Sequence, residues 1–240
     1  MNTNHSPSDD LRPPAGAVEA SSGTTGSAPP RYETRERDKI GFWEKMSLGV
    51  GNLPIFYGYA AVGSIAVPYF QMTLNVDPAL IGTAIALPRL WDAFTDPAMG
   101  FISDNTQSRW GRRRPYIVLG ALLMAVAFGS IWMAPPTWSE RALSIYVTVA
   151  LLVFYTCYTI YAVPWTSLSY EMTPDPRERT RVASYSGFFG KIGELSYSWI
   201  FPLSQAAIFA SATQGVRVVG WVVAFLFFAA VGIIPGIFVR

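Results

Sequence analysis

Four long stretches without a charged residue constrain the fold more than any other feature of the sequence. They run over 46–71, 116–134, 142–170 and 218–239. A helix needs about 20 apolar residues to cross the hydrocarbon core of a bilayer, and each stretch is close to that length or longer. Only 14% of all residues are charged, against about 25% in an ordinary soluble domain. The sequence therefore predicts a protein embedded in lipid.

Two more apolar stretches, which contain a few ionisable residues, complete a set of six predicted spans. We place these spans over 44–72, 79–103, 115–135, 142–170, 183–208 and 217–239. Within hydrocarbon, a helix satisfies all its backbone hydrogen bonds internally. We therefore predict an all-α integral membrane domain over residues 39–240, in which an even number of helices returns the chain to its starting side.

Residues 1–38 differ from the rest of the chain in composition. They are rich in Pro, Gly, Ser, Thr and charged residues and show no apolar periodicity. Such a segment buries too little apolar surface to offset the entropy lost on ordering. We predict a disordered cytoplasmic tail. It lacks the apolar core of a signal peptide, so we expect the first span to act as an uncleaved targeting signal.

Basic residues are distributed unequally between the two sets of loops that join the predicted spans. The opposite side from the termini holds only Arg141 and Arg217. The side of the termini holds Arg31, Arg35, Arg37, Lys39, Lys45, Arg109, Arg112, Arg113, Arg114, Arg177, Arg179, Arg181 and Arg240. Because Lys and Arg accumulate in short cytoplasmic loops, we predict that both termini are cytoplasmic. The expected location is the plasma membrane, which in bacteria is the inner membrane.

Composition also excludes several classes of function. The net charge is +2 and the basic residues lie in short loops, so the chain offers no continuous basic face to nucleic acid. The single histidine, His5, lies in the tail, and the single cysteine, Cys157, lies in an apolar stretch. We find no metal-binding cluster and no activated nucleophile in the sequence. We therefore expect no enzymatic activity, no cofactor and no nucleic-acid partner.

Ionisable residues lie well inside two of the predicted spans, where a charge costs roughly 2.5 to 3.5 kcal/mol. Span two holds Arg89, Asp92 and Asp96. At 100° per residue these three side chains fall within about 60° of one another. Span five holds a second polar stripe, formed by Lys191 and Glu194. Because such stripes must face protein or water, we predict that both line one aqueous cavity.

A short internal repeat suggests how the six spans are related. The tetrapeptide Ala-Val-Pro-Tyr at 66–69 resembles Ala-Val-Pro-Trp at 162–165, at an offset of 96 residues. This offset equals a three-helix unit, as expected where a six-helix half consists of two three-helix repeats. The alternative is that the two prolines only kink their helices.

The stretch from Arg89 to Pro115 carries the most informative motif. Its residues Gly100, Asp104, Arg109, Gly111 and Arg112 resemble the cytoplasmic loop between the second and third helices of the major facilitator superfamily.

The surrounding sequence resembles one branch of that superfamily, the glycoside-pentoside-hexuronide cation symporters typified by melibiose permease. The matching features are Asp92 and Asp96, followed by Asp-Asn-Thr-x-Ser-Arg-Trp-Gly from residue 104. The likeness continues at 45–47, 158–160, Pro164 and 177–179, and so covers nearly everything after residue 40.

The resemblance implies a symporter that works by alternating access and binds Na⁺ or H⁺ with Asp92, Asp96 and the hydroxyl of Thr159. Two carboxylates one turn apart supply the oxygen ligands that a hard cation prefers. Arg89, also one turn away, is the expected counter-charge. The alternative is a static ion-pair cluster that locks helices together.

The resemblance also implies a cytoplasmic latch, formed by Asp104 and the arginines that follow it, that stabilises one access state. The alternative is that these arginines only determine topology.

The sequence departs from this branch at the sugar-binding positions. Ala162 replaces an aspartate and Gly187 replaces an arginine, while Ile55 and Phe56 replace a lysine and an aspartate pair. The sugar-binding set is therefore absent from this part of the chain.

A different set of residues is predicted to line the cavity, comprising Tyr158, Ala162, Trp165, Gly187, Lys191 and Glu194. Lys191 could supply the missing cation to a carboxylated or phosphorylated substrate. Alternatively, Lys191 and Glu194 form a buried structural pair at i, i+3.

The leading hypothesis is cation-coupled symport of a glycoside or a similar small polar solute. A lysophospholipid symporter, as found among animal members of the branch, is the second possibility, and a non-transporting membrane partner or receptor is the third. The superfamily builds its cavity from two six-helix halves. We therefore expect this chain to be the N-terminal half, to require a second half from the same protein or a separate chain, and not to transport alone.

Overall fold

The computed structural model of the protein describes residues 38–239. The described residues form helices joined by short turns, with no strand among them. The tail predicted over 1–38 lies outside the described residues, apart from Asp38.

Helices occupy all six intervals that the sequence predicts as spans. In chain order they are α1 Phe42–Ala66, extended by a π-helical segment Val67–Thr73; α2 Pro78–Asn105; α3 Arg114–Ile131; α4 Glu140–Glu171; α5 Pro176–Tyr197; α6 Ile200–Ser204; α7 Ala212–Val223; a second π-helical segment Ala224–Val231; and α8 Gly232–Phe238.

Four of these helical stretches are long and apolar enough to cross a membrane: Phe42–Thr73, Arg114–Ile131, Glu140–Glu171 and Ala212–Phe238. Helices α2 and α5, which carry the two ionisable stripes, are not among them.

The helix predicted over 183–208 differs in the structure, because it starts earlier and is interrupted. The carboxylate of Asp175 caps its first turn by accepting a hydrogen bond from the Arg177 amide at 2.9 Å, and Pro176 fits the first helical position. Helix α5 ends at Tyr197, and a turn separates it from α6. Pro202, in α6, has no amide hydrogen to donate to the carbonyl four residues earlier, at Ser198, which lies at the break. Prolines inside α2 and α4 do not break those helices.

Contacts between helices show the direction in which each one runs. Along α2 and α4, Arg89 contacts Tyr155 and Asp96 contacts Thr159, so residue numbers rise together and the helices are parallel. Helix α2 packs mainly on α4, while α5 packs mainly on α1.

Helices α1 and α5 are also parallel. The Asn52 amide donates to the Ser186 carbonyl at 2.8 Å, and the Tyr57 and Ser196 hydroxyls lie 2.6 Å apart.

Helices α3 and α4 run antiparallel and approach each other closely. The Tyr146 hydroxyl, near the start of α4, donates to the Ser130 carbonyl near the end of α3. At the other end of the pair, Gly120 of α3 lies against the backbone of Tyr161. The absence of a side chain at Gly120 allows this approach, as small residues do between helices in membranes.

We expect Gly120→Ala to destabilise the fold, because the added Cβ would lie 2.6 Å from the Tyr161 amide nitrogen. That atom belongs to the backbone of α4 and cannot rotate away, so overpacking should cost about 1–3 kcal/mol. Thermal unfolding in detergent measures the loss. Gly63→Ala in α1 is the matched control, because no described atom lies within 4 Å of its added Cβ. Equal unfolding temperatures for the two variants would contradict the close packing of α3 on α4.

Candidate functional site

The ionisable stripe of α2 lies along α4 and is joined to it by hydrogen bonds. Arg89 Nη2 donates to the Tyr155 hydroxyl at 3.1 Å. Two turns further along α2, Asp96 Oδ1 accepts a hydrogen bond from the Thr159 hydroxyl at 2.9 Å. The structure thus brings together the residues predicted for the cation site, and one turn of α4 supplies both partners.

Asp92 lies between these two contacts and is incompletely paired. Its Oδ2 lies 3.7 Å from Arg89 Nη1, and the two side chains are 18% and 37% exposed respectively. Its other oxygen, Oδ1, is buried and accepts no hydrogen bond from any described residue. A buried polar atom without a partner is costly. The Asp92 carboxyl is therefore well suited to receive a cation or a proton at Oδ1.

The guanidinium of Arg89 makes cation–π contacts with two tyrosine rings. Its central carbon lies 4.4 Å from the centroid of the Tyr59 ring and 4.5 Å from that of Tyr155. Tyr59 belongs to α1 and Tyr155 to α4. Sequence reasoning missed both tyrosines, because only the helix pairing in three dimensions shows which of the many aromatic residues face Arg89.

The donor set around Asp92 and Asp96 consists of oxygen atoms. The Thr159 hydroxyl donates a hydrogen bond to Asp96 and keeps lone pairs that can face a cation. Within residues 38–239, no group of three or more His, Cys, Asp or Glu side chains is placed to hold a metal ion. Two carboxylates and a hydroxyl suit a hard monovalent cation or a proton better than a transition metal.

The predicted cavity residues of α4 differ in their surroundings. Tyr158 is half-buried and covers Gly58 of α1. Ala162 and Trp165 are buried, and the Trp165 indole lies against Gly51 of α1. Trp165 therefore contributes to packing between α1 and α4, and its role in lining a cavity stays a prediction.

The predicted cavity residues of α5 lie on an exposed face. Lys191 Nζ lies 2.5 Å from Glu194 Oε2, with the side chains 78% and 49% exposed. A side chain at Gly187 would meet no described atom within 4 Å. Lys191 and Glu194 thus form the predicted i, i+3 pair, but the pair is exposed and not buried. Among the described residues, neither side chain forms an ion pair with Asp92. The cavity predicted to join the two stripes stays a prediction.

At the predicted latch, Arg113 makes the main connections. Arg113 is only 7% exposed and lies 2.7 Å from Asp104 and, through its two terminal nitrogens, 2.7 and 2.9 Å from the Glu171 carboxylate. This triad joins the end of α2, the start of α3 and the end of α4. The predicted Arg112 lies 3.4 Å from Glu171 in an exposed pair, and the predicted Arg109 is exposed.

The two predicted glycines of this motif differ. Gly111 has φ of +92°, a left-handed conformation that favours glycine. Gly100 lies within a helix, where an added Cβ would make only an ordinary contact at 3.9 Å. Sequence reasoning included Arg113 only as one of the arginines that follow Asp104, named Arg109 and Arg112 for the motif, and missed Glu171 at the end of α4.

A second cluster joins α1 to α5 at the same end of the bundle. The fully buried Glu178 lies 2.6 Å from Lys45 Nζ and also pairs with Arg181. Burial alone would raise the pKa of the Glu178 carboxyl, but hydrogen bonds from Lys45 and Arg181 outweigh it and lower the pKa. Glu178 is therefore held in its charged form.

Four helical stretches of this chain are long and apolar enough to cross a membrane. These features assign the chain to the polytopic membrane proteins. Comparison with protein families matches residues 47–235 to the family described as MFS/sugar transport protein. The chain belongs to this family, which confirms the predicted membership of the major facilitator superfamily. The protein is an integral, multi-pass membrane protein of a transporter family and not an enzyme.

The curated relatives include symporters from bacteria and animals. An uncharacterized symporter of Synechocystis is 31% identical over 71% of this chain and 32% of its own length. A putative glycoside/cation symporter of Escherichia coli is 28% identical over 68% of this chain and 34% of its own. The sodium-dependent lysophosphatidylcholine symporter 1 of Mus musculus is 27% identical over 65% and 30%. The chain thus spans about a third of the length of these relatives.

We expect the Glu178 cluster to make stability depend on acid pH. A lowered carboxyl pKa contributes stability that is present above the ordinary glutamate pKa, about 4.3, and is lost as the pH falls through the lowered value. The difference in unfolding temperature between wild type and Glu178→Gln should be large at pH 7 and shrink below about pH 4. Glu140→Gln, at the opposite end of the bundle, is the control. A difference that stayed constant with pH would refute this account of Glu178.

Proposed function

We propose that this chain is the N-terminal six-helix half of a cation-coupled symporter that works by alternating access. The alternating directions of α1 to α5 support six passes, in which α2 and α5 also cross the membrane with their ionisable faces turned toward a water-filled cavity. The basic residues then lie on the cytoplasmic side with both termini. The parallel pairs α1–α5 and α2–α4 fit a bundle made of two three-helix repeats.

The observation that carries this proposal is the buried, unpartnered Oδ1 of Asp92, one helical turn before Asp96, which accepts a hydrogen bond from Thr159. Arg89, 3.7 Å from Asp92, offsets one negative charge, which leaves one net negative charge in the cluster. A Na⁺ ion bound to oxygens of Asp92, Asp96 and Thr159, or a proton on Asp92, neutralises that charge. Neutralising a charge on α2 lowers the free energy required to move this part of the helix out of water. Cation binding therefore favours one access state over the other.

The Asp104–Arg113–Glu171 triad acts in this proposal as the cytoplasmic latch. It ties α2, α3 and α4 at one end, so the latch holds one access state until a second six-helix half moves against this one. That second half, from the same protein or a separate chain, closes the cavity that one half leaves facing lipid.

The solute that best fits the site is a glycoside or a similar small polar molecule, in line with the relative named as a putative glycoside/cation symporter. Tyr158 supplies an aromatic face and Lys191 a cation, while the sugar-binding set of the branch is absent. A carboxylated or phosphorylated solute would explain a lysine on the exposed face of α5.

A lysophospholipid or another amphiphile is a second candidate solute, supported by the exposed face of α5. There the Lys191–Glu194 pair lies among the exposed apolar side chains of Phe188, Ile192 and Leu195. This face offers charge to a headgroup and apolar surface to an acyl chain, and one relative is named a sodium-dependent lysophosphatidylcholine symporter.

We expect Asp92→Asn and Asp96→Asn each to weaken cation binding by at least about tenfold, because each removes a charged ligand. Binding of radioactive Na⁺, and proton uptake with a pH-sensitive dye, can be measured on the full 240-residue chain in nanodiscs. Asp77→Asn is the matched control, since asparagine also caps a helix and Asp77 caps the start of α2.

The same variants, combined with the second half in proteoliposomes, should lose gradient-driven uptake of a panel of glycosides and lysophospholipids. The solute that wild type accumulates distinguishes the two candidates. If uptake depends neither on the cation gradient nor on these substitutions, transport is facilitated diffusion and the two carboxylates have only a structural role. Cation binding without uptake of any solute would favour a non-transporting partner or receptor.

We expect Lys191→Gln to weaken the affinity for an anionic solute by about three- to tenfold, because a charged hydrogen bond is lost. Lys191→Arg retains the charge and should retain most of the affinity. Competition by the solute against a labelled substrate in proteoliposomes gives both values. If Lys191→Gln leaves the affinity unchanged, Lys191 serves only its pair with Glu194.

A further inference from the structure

Arg89 has two competing sets of partners, and it makes a hydrogen bond to the tyrosine set but not to Asp92. A direct arginine–carboxylate hydrogen bond is about 2.7–2.9 Å long, whereas Arg89 Nη1 lies 3.7 Å from Asp92 Oδ2. The central carbon of the guanidinium instead lies over two tyrosine rings, 4.4 Å from the centroid of Tyr59 and 4.5 Å from that of Tyr155. One of its nitrogens donates to the Tyr155 hydroxyl at 3.1 Å.

The consequence for Asp92 is that a positive charge lies nearby without bonding directly to its oxygens. An arginine bonded through both nitrogens to Asp92 would occupy the carboxylate, and an incoming cation would have to displace it. With Arg89 in contact with Tyr59 and Tyr155, Oδ1 of Asp92 has no hydrogen-bond partner among residues 38–239. The rings attract the guanidinium through their negative faces, and the Tyr155 hydroxyl fixes its direction.

We propose that Tyr59 and Tyr155 form an aromatic clamp that restrains Arg89 and so keeps Asp92 available to the coupling cation. This inference rests on the proposed function and adds two positioning residues, which act through Arg89 and need not contact the cation. The two tyrosines contribute differently. Tyr155 is buried between α2 and α4 and supplies ring and hydroxyl, whereas the largely exposed Tyr59 of α1 supplies the outer ring.

The clamp predicts in which direction each substitution changes the affinity for the cation. Tyr59→Leu removes one ring and Tyr155→Phe removes the hydroxyl, and either change lets Arg89 move onto Asp92 and compete with the cation. We expect cation affinity to fall by about three- to tenfold in each variant. Tyr59→Phe keeps the ring and should bind as wild type does, which separates the loss of the ring from the loss of the side chain as a whole.

The decisive test repeats Tyr59→Leu and Tyr155→Phe in an Arg89→Gln background, with radioactive Na⁺ and proton uptake as probes of the full chain in nanodiscs. Without Arg89 there is nothing to restrain, so neither tyrosine substitution should weaken binding further. A loss of affinity of equal size in both backgrounds would mean that the tyrosines only support the fold, and would overturn the clamp.

The outcomes separate this inference from the proposed function. If wild type binds neither cation, or if Asp92→Asn binds as wild type does, the proposed function fails and the clamp with it. If Asp92→Asn abolishes binding while Tyr59→Leu and Tyr155→Phe bind normally, the cation site stands and only the clamp is refuted. Weakened binding in the tyrosine variants that disappears in the Arg89→Gln background supports both.

Discussion

The cost of placing ionisable side chains on an apolar helix is the constraint on which the rest of this structure depends. Three charged residues lie on one face of α2, and a single turn of α4 supplies partners for two of them, with Tyr155 for Arg89 and Thr159 for Asp96. These contacts fix the register of α2 on α4. They also explain why α2, which buries few apolar side chains, nevertheless packs along the length of α4.

Similar polar contacts at one end of the bundle divide the helices into two groups. The Asp104–Arg113–Glu171 triad joins α2, α3 and α4, while the Lys45–Glu178 pair joins α1 and α5. Each contact pairs a buried charge, that of Arg113 or Glu178, with side chains of opposite charge. Between the groups the packing is largely aromatic and apolar, with glycines such as Gly51 and Gly58 of α1 making room for Trp165 and Tyr158 of α4.

Much of the fold could be predicted from the sequence because its determinants are local. Charge-free stretches mark helices, whereas the start of α5 at Pro176 was predicted at residue 183, although Asp175 followed by Pro176 is a local cap signal. The interruption near Pro202 was missed because the residues around it are as apolar as a membrane span, and composition alone does not distinguish a continuous helix from a broken one. The site carboxylates Asp92 and Asp96 could be predicted because their spacing on one helix is itself a local property.

The partners of those carboxylates depend on helix pairing, which the sequence does not encode locally. Nothing near Tyr59 in the sequence relates it to Arg89. Nothing in the sequence distinguishes Arg113, which is buried and pairs with both Asp104 and Glu171, from the exposed Arg112 beside it. The clamp therefore depends on the packing of α1 against α2 and α4. On the proposed account, a shift of α1 that moves the Tyr59 ring away from Arg89 strengthens the competition for Asp92. Cation affinity would then change with the arrangement of the helices, which is the property that a coupled transporter requires of its ion site.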